Sequence, residues 1–310
     1  MSLMMGNKDA YVAPVEKEEM LYYYCSMKTF ISIIEKGSVW LRDLRDMNDP
    51  NEMMLGNEDW AQNILMAYET NKFRFEYNGK KDSEGMWDYL MNSRIKKALR
   101  QYSLYDKIYY AICFTSSCDA LSLWRMYADN GHGVCLAFDK SITEEYVGQT
   151  TGSDKYKLLE IEYGETRNIK ETIAKNMLEE IKSEYNDQER NGNKKKDIEE
   201  IIGENINTNW AKYKDKAYAD EKETRLVYSI DSCYECDNGY NYKPEFLNKI
   251  VVSTNDGKID PHIEVSADVL GLKEVILGPC NNASRLSMEL LLQKYNKHYS
   301  LFKSKIAYRG

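Results

Sequence analysis

Three short stretches carry the side chains best suited to chemistry: Tyr22-Tyr23-Tyr24-Cys25-Ser26, Phe114-Thr115-Ser116-Ser117 and Glu221-Lys222-Glu223-Thr224-Arg225. The middle one reads as the end of a buried strand, then a turn of small polar residues, then a short helix. Hydroxyls placed there stand beside the unpaired N–H groups of a helix start, an arrangement suited to an anionic or ribose-like ligand. On a strand, Glu221 and Glu223 project to the same side, so two carboxylates can act on one ligand, one holding it and one activating an acceptor. The same pair can equally be neutralised by Arg225 and neighbouring cations on a solvated strand face.

The elements that must position these residues follow from periodicity and punctuation. Residues 20–25 are β-prone, and Ser26 is placed to cap a helix with Phe30, Ile33 and Ile34 on its apolar face and Gly37 as its stop. Strand character resumes at Val39-Trp40-Leu41. Asp119 is expected to cap the short helix that carries Leu121, Trp124 and Ala128; a turn at Gly131-His132-Gly133, with His132 exposed, leads to a second buried strand over 134–138. Further strands are expected over 158–163, 224–230, 249–253, 274–279 and 301–308, with a helix over 285–295. Residues 58–105 and 168–213 are helical in pattern, the second set strongly charged.

Strands scattered along the whole length, with helices clustered between them, predict an α+β fold: a mixed, mainly antiparallel sheet core covered by helices. One domain is expected over 19–310, with a helical insertion at about 166–215, and a polar, flexible segment over 1–18. The formal net charge of -8 disfavours broad attraction to nucleic acid or anionic lipid. No apolar run approaches the roughly 20 residues of a membrane helix, so a cytoplasmic protein without membrane contact is expected. Seven cysteines, an odd number without a secretory signal, point to reduced thiols. Cys233-x-x-Cys236 is half of a zinc site with no second close pair, and with three histidines no metal site is assigned. Asn48, Asp49 and Glu52 read first as a turn device, and Arg309 as the partner of an acid or a phosphate. Neither a Gly-x-Gly-x-x-Gly nor a P-loop pattern occurs.

Several of these signatures together resemble a bacterial domain family of unknown function, DUF2971, across nearly the whole chain. They include Tyr22-Tyr23-Tyr24, Trp40, Asn48-Asp49-Pro50, Cys113-Phe114-Thr115-Ser116, Trp124-x-x-Tyr127-Ala128, Glu221-x-Glu223-x-Arg225 and Gly278-Pro279. That resemblance implies no activity. The order of the three chemical stretches also resembles ADP-ribosyltransferases: an aromatic first strand before a helix and a glycine, a Phe-x-Ser-type strand, then a Glu-x-Glu strand. Two departures are visible, the lack of Arg or His in the first strand and the long helical stretch between the second and third motifs.

The transferase resemblance implies an ADP-ribosyltransferase-like fold and NAD as the substrate nucleotide, with protein, nucleic acid or water as acceptor, in bacterial conflict or phage defence. Cleaving the nicotinamide–ribose bond develops positive charge on the sugar, which a carboxylate stabilises. Glu223 takes that role, Glu221 the acceptor, and Ser116 the ribose and the strand end. Tyr23, Tyr24 and Tyr127 would stack on the rings, and Ser26, Thr115 and Arg225 complete the nucleotide-binding set. Two other readings stay open. One is a non-catalytic sensor or interaction domain; the other is a metal-dependent nuclease, suggested by Asp220-Glu221-Lys222 and disfavoured by the acidic charge. Convergence of Tyr23, Ser116 and Glu223 in one cleft is the geometric expectation of the transferase reading.

Overall fold

The computed structural model describes residues 11–47, 107–150, 155–165, 211–231, 233–236, 239–255 and 257–308. It also describes the two-residue strands Glu76–Tyr77 and Lys80–Lys81 and four single helical, exposed positions, Thr172, Asn176, Glu179 and Ser183. The expected helices over 58–105, most of the charged helical stretch, Asn48, Asp49, Glu52 and Arg309 lie outside the described residues.

The chain opens with β1 (Met20–Cys25), α1 (Met27–Lys36) and β2 (Ser38–Asp43). As its sequence predicts, Ser26 caps α1 by accepting from the Thr29 N–H at 3.1 Å, and Gly37 ends it at φ 72°, a left-handed geometry that costs glycine little. Next come β3 (Lys107–Thr115), α2 (Leu121–Tyr127), β4 (Val134–Asp139) and α3 (Lys140–Gln149). Asp119 does not cap α2. Ala120 holds that position without a side-chain bond, and Asp119 accepts instead from the Trp124 indole at 2.7 Å and the Ser304 hydroxyl at 2.6 Å. A tertiary donor outcompetes the local one. The helix after β4 was not expected, although its cap, Asp139, was in plain view.

The run over 158–163 divides into β5 (Lys155–Glu160) and β6 (Glu162–Gly164). Its hydrogen-bond partner changes at Ile161, whose N–H goes to the Glu223 carbonyl, whereas the next N–H goes to Lys212. Then follow β7 (Tyr213–Asp215), a 3-10 turn (Lys216–Glu221) and β8 (Glu223–Asp231). A short hairpin, Cys233–Cys236 with Gly239–Tyr242, leads to α4 (Pro244–Leu247), β9 (Val251–Asn255), β10 (Lys258–Ser266) and β11 (Leu272–Leu277). The chain closes with α5 (Arg285–Lys294) and β12 (Ser300–Lys303), a shorter last strand than expected. Strand β10, interrupted by Pro261 and charged side chains, was not legible as a strand. Residues 11–18, expected to be a flexible segment, contact the sheet: Val12 bridges Phe302 of β12, and Lys17 pairs with Glu274 of β11.

Ten strands form one sheet in the order β9-β10-β2-β3-β1-β4-β11-β12, with β8 paired to β3 and β5 to β8. The β11–β12 pair is parallel and the other pairs in this sheet are antiparallel, so the α+β expectation holds. One face packs Leu21, Ile112, Phe114, Leu136 and Leu226 under α1 and α5. The other packs Tyr22, Tyr24, Cys135 and Ile276 under Leu123 and Trp124 of α2. Behind α2 the glycine turn meets the Gly278-Pro279 corner backbone to backbone. A Cβ on Gly133 would lie 2.2 Å from the Cys25 carbonyl oxygen, which only glycine avoids. No helix among the described residues is long and apolar enough to cross a membrane.

Candidate functional site

Strand β3 pairs along its whole length with β8, from Glu223 opposite Thr115 to Asp231 opposite Lys107. Its other edge is shared. Near its end Thr115 faces Tyr22 of β1; four residues back, Ala111 faces Arg42 of β2. Between those points Ile112, Cys113 and Phe114 have no ladder neighbour on that edge among the described residues, because β1 turns away with β4 and β2 with β10. The sheet therefore forks, and α1, which joins the two prongs, lines the fork with Thr29, Ser32 and Ile33. The resulting cleft has a volume of about 620 Å³, within the roughly 300–1,000 Å³ range of small-molecule sites.

At the β8 end of the cleft four ionic side chains meet in deep burial. Arg225 donates from Nε to Glu223 Oε1 at 2.6 Å, from NH2 to Oε2 at 3.2 Å, and from NH1 to the Ala211 carbonyl at 3.3 Å. Lys214 Nζ spans both carboxylates, 2.6 Å from Glu221 Oε2 and 3.0 Å from Glu223 Oε2. The Tyr127 hydroxyl completes the set, donating to Glu221 Oε1 at 2.6 Å. Side-chain exposure is 3% for Glu223 and 1% for Arg225, so neither charge is left to solvent. Burial pushes the Glu223 carboxyl upward, but the Arg225 and Lys214 charges outweigh it and hold the group at about 2. Its backbone is held as well: the N–H donates to the Tyr163 hydroxyl at 2.6 Å, and the carbonyl accepts from Ile161.

Glu221 and Glu223 were expected on one strand face; the structure corrects this. Glu221 ends the 3-10 turn, and Lys222 adopts a left-handed conformation (φ 44°, ψ 54°) before β8 begins at Glu223. Strand alternation does not bring the carboxylates together. They meet because each reaches the same ammonium.

Eight of the nine residues singled out from sequence line the cleft. Tyr23, Tyr24 and Ser26 come from the β1 prong, Thr115 and Tyr127 from β3 and α2, and Glu221, Glu223 and Arg225 from β8 and its approach. Ser116 is not among them, so the expected convergence of Tyr23, Ser116 and Glu223 in one cleft holds for Tyr23 and Glu223 and fails for Ser116. It is exposed on the turn beyond Thr115, with its N–H bonded to the Lys222 carbonyl. Several of the eight also hold the fold. Tyr24 accepts from the Ala120 N–H and donates to the Ser117 carbonyl, both at 3.0 Å, and packs edge-on against Trp124. Ser26 caps α1, and Thr115 Oγ1 accepts from the Ser117 N–H. Tyr23 stands edge-on to Phe114 with its ring centroid 6.5 Å away.

Lys214, Ser38, Trp40 and Arg42 also line the cleft and carried no site signal in sequence. Lys214 was hidden at the end of a charged stretch with many lysines. The Ser38 hydroxyl is buried without a hydrogen-bond partner in the described structure, a polar atom facing an unfilled requirement. Trp40 stacks on buried His262 with ring centroids 3.7 Å apart. Among the described residues no three His, Cys, Asp or Glu side chains group as metal ligands. His132 is exposed, as expected. Cys25, Cys118, Cys135 and Cys280 are free thiols, and burial pushes those of Cys25 and Cys135 up, as suits core residues.

Residues 123–226 match the model of the family described as protein of unknown function, DUF2971. The matched stretch runs from α2 into β8. It contains Tyr127, Lys214, Glu221, Glu223 and Arg225 but neither prong of the fork, so it is shorter than the resemblance read from scattered motifs. No curated protein and no solved structure matches the chain. The likeness to ADP-ribosyltransferases rests on motif order alone.

Proposed function

We propose that the forked cleft binds NAD and that the protein is an ADP-ribosyltransferase-like enzyme acting in bacterial conflict or phage defence. The observation that carries this reading is the meeting of residues from β1, β3, α2 and β8, far apart in sequence, around one nucleotide-sized cleft with Glu223 at its end. In the reaction, the bond between ribose C1′ and the nicotinamide nitrogen breaks and its electron pair leaves with nicotinamide. An acceptor lone pair then bonds to C1′ and the acceptor loses its proton. Held at about 2, Glu223 stays ionised at neutral pH. That suits it to stabilise the ribosyl cation and makes it a poor proton acceptor. Glu221, oriented by Tyr127, is the carboxylate assigned to the acceptor's proton. Ser116, exposed outside the cleft lining, has at most a contact with the acceptor in this reading.

Nicotinamide release from NAD by the purified protein tests the proposal, with Glu223→Gln as the control. Turnover is expected in the wild type, with a loss of about 100-fold or more in the variant, the scale of removing a key electrostatic group. Equal turnover in the two proteins would remove Glu223 from the mechanism. A second reading, a non-catalytic nucleotide sensor, is favoured by one observation: both carboxylates already hold cations. It predicts saturable NAD binding with no nicotinamide release.

A further inference from the structure

The four ionic groups at the end of the cleft cancel: Glu221 and Glu223 against Lys214 and Arg225. The two cations differ in their commitments. Arg225 belongs to Glu223 and the Ala211 carbonyl, a fixed fork of donors on the same strand as the carboxylate it binds. Lys214 reaches in from β7 on a flexible stem, and its single ammonium sits between two carboxylates that come from different elements. The space between those carboxylates is where a ligand's positive charge would be held most strongly, and the chain fills it with its own charge. Lys214 and both carboxylates line the cleft, and the ammonium stands 3.0 Å from Glu223 Oε2.

We propose that Lys214 is a built-in counter-ion that sets the charge selectivity of the cleft. With Nζ in place the carboxylate pair is neutralised, and a cationic pyridinium ring gains little over a neutral ring of the same shape. With that charge removed, the site carries a net negative charge and selects cations. The inference rests on the transferase reading for the statement that the ligand's cationic end faces Glu223. Lys214 is thus a specificity residue that acts through Glu221 and Glu223. At an effective dielectric of about 20, one unit charge removed from within about 5 Å changes the binding of a cation by tenfold or more. A neutral ligand feels no comparable change.

The test compares ligands that differ in ring charge. Equilibrium dissociation constants are measured for NAD against NADH, and for 1-methylnicotinamide, a cation, against neutral nicotinamide, with the wild type, Lys214→Gln, Lys214→Arg and Glu221→Gln. The wild type is expected to favour the cationic member of each pair by less than about threefold, and Lys214→Gln to raise that preference about tenfold or more. Lys214→Arg, which keeps the charge, should match the wild type. Glu221→Gln keeps its shape and an acceptor for Tyr127, and should shift preference toward the neutral member; it carries the test if Lys214→Gln fails to fold. An unchanged charge preference in every folded neutralising variant overturns the proposal, as does a strong cation preference in the wild type. If the dinucleotides fail to bind while the small probes show the predicted shifts, the NAD reading falls and the role of Lys214 stands. If none of the four ligands binds any of the proteins, both fall.

Discussion

Two buried clusters flank the end of β3, and they differ in what their burial requires. Around Trp124 the contacts are apolar, and the polar atoms present are paired with fixed protein groups. The indole N–H goes to Asp119, the Tyr24 hydroxyl to the Ser117 carbonyl, and Asp119 also holds Ser304 and the Lys305 N–H. Around Glu223 the burial is as deep, yet the side chains are two carboxylates, an ammonium and a guanidinium. A fold has no need of the second arrangement, since well-packed apolar residues of similar volume are often as stabilising as a buried ion pair. The first cluster explains how the structure stands. The second, open to a cleft, calls for an explanation in function.

That contrast can be broken at several points. Trp124→Ala empties the larger apolar site and should lower stability by about 3–5 kcal/mol. In denaturant titration the midpoint should fall, while the ligand charge preference of the folded fraction stays as in the wild type. A change in that preference would mean that the two clusters are one unit. Arg225→Met leaves Glu223 with Lys214 as its remaining cation and should cost about 3 kcal/mol or more. Unlike the tryptophan change, it should also alter ligand binding; a variant with normal stability would show that the ion cluster is solvated rather than buried.

Acid should separate the clusters without any mutation. Folding lowers the Glu223 carboxyl from its ordinary 4.5 to about 2. The unfolded chain therefore takes up this proton first as pH falls. The stabilisation is fully present above about pH 4.5 and is lost progressively down to about pH 2, amounting to on the order of 3 kcal/mol. Comparing acid unfolding of the wild type and Glu223→Gln isolates it: the variant should show a shallower loss of stability over that interval, and identical slopes would refute the linkage. The smallest effect has the opposite sign. Ser38→Ala removes a buried hydroxyl with no partner among the described residues, so the ligand-free protein should be unchanged or more stable by up to about 1 kcal/mol. If the hydroxyl serves a ligand in the cleft, the same change should weaken NAD binding, a combination no packing residue would produce.

Much of the scaffold was legible because its signals are local. The apolar members of α1, its Ser26 cap and its Gly37 stop lie within twelve residues, and the buried strands β3 and β4 announce themselves by composition. The residues proposed for chemistry were legible by type. Tyr23, Thr115, Tyr127, Glu223 and Arg225 all line the cleft. What failed was inference about direction. Asp119 reads as a cap until the Trp124 indole of the same helix and the C-terminal segment compete for it, and Glu221 reads as a strand residue until Lys222 takes a left-handed turn. Ser116 belongs to the same motif as Thr115, but the chain turns after Thr115 and leaves its neighbour exposed.

By itself, then, the sequence determined the α+β character, the cap and stop of α1, the buried faces of the central strands, and the kinds of side chain available for chemistry, because periodicity and turn chemistry act within a few residues. Only the tertiary structure decided that β1 and β2 part from β3 to open a cleft, that Lys214 enters it from β7, and that its one ammonium joins two carboxylates carried by different elements, the 3-10 turn and β8. Those outcomes depend on strand register and on competition between distant donors and acceptors, and neither is written in the spacing of neighbouring residues.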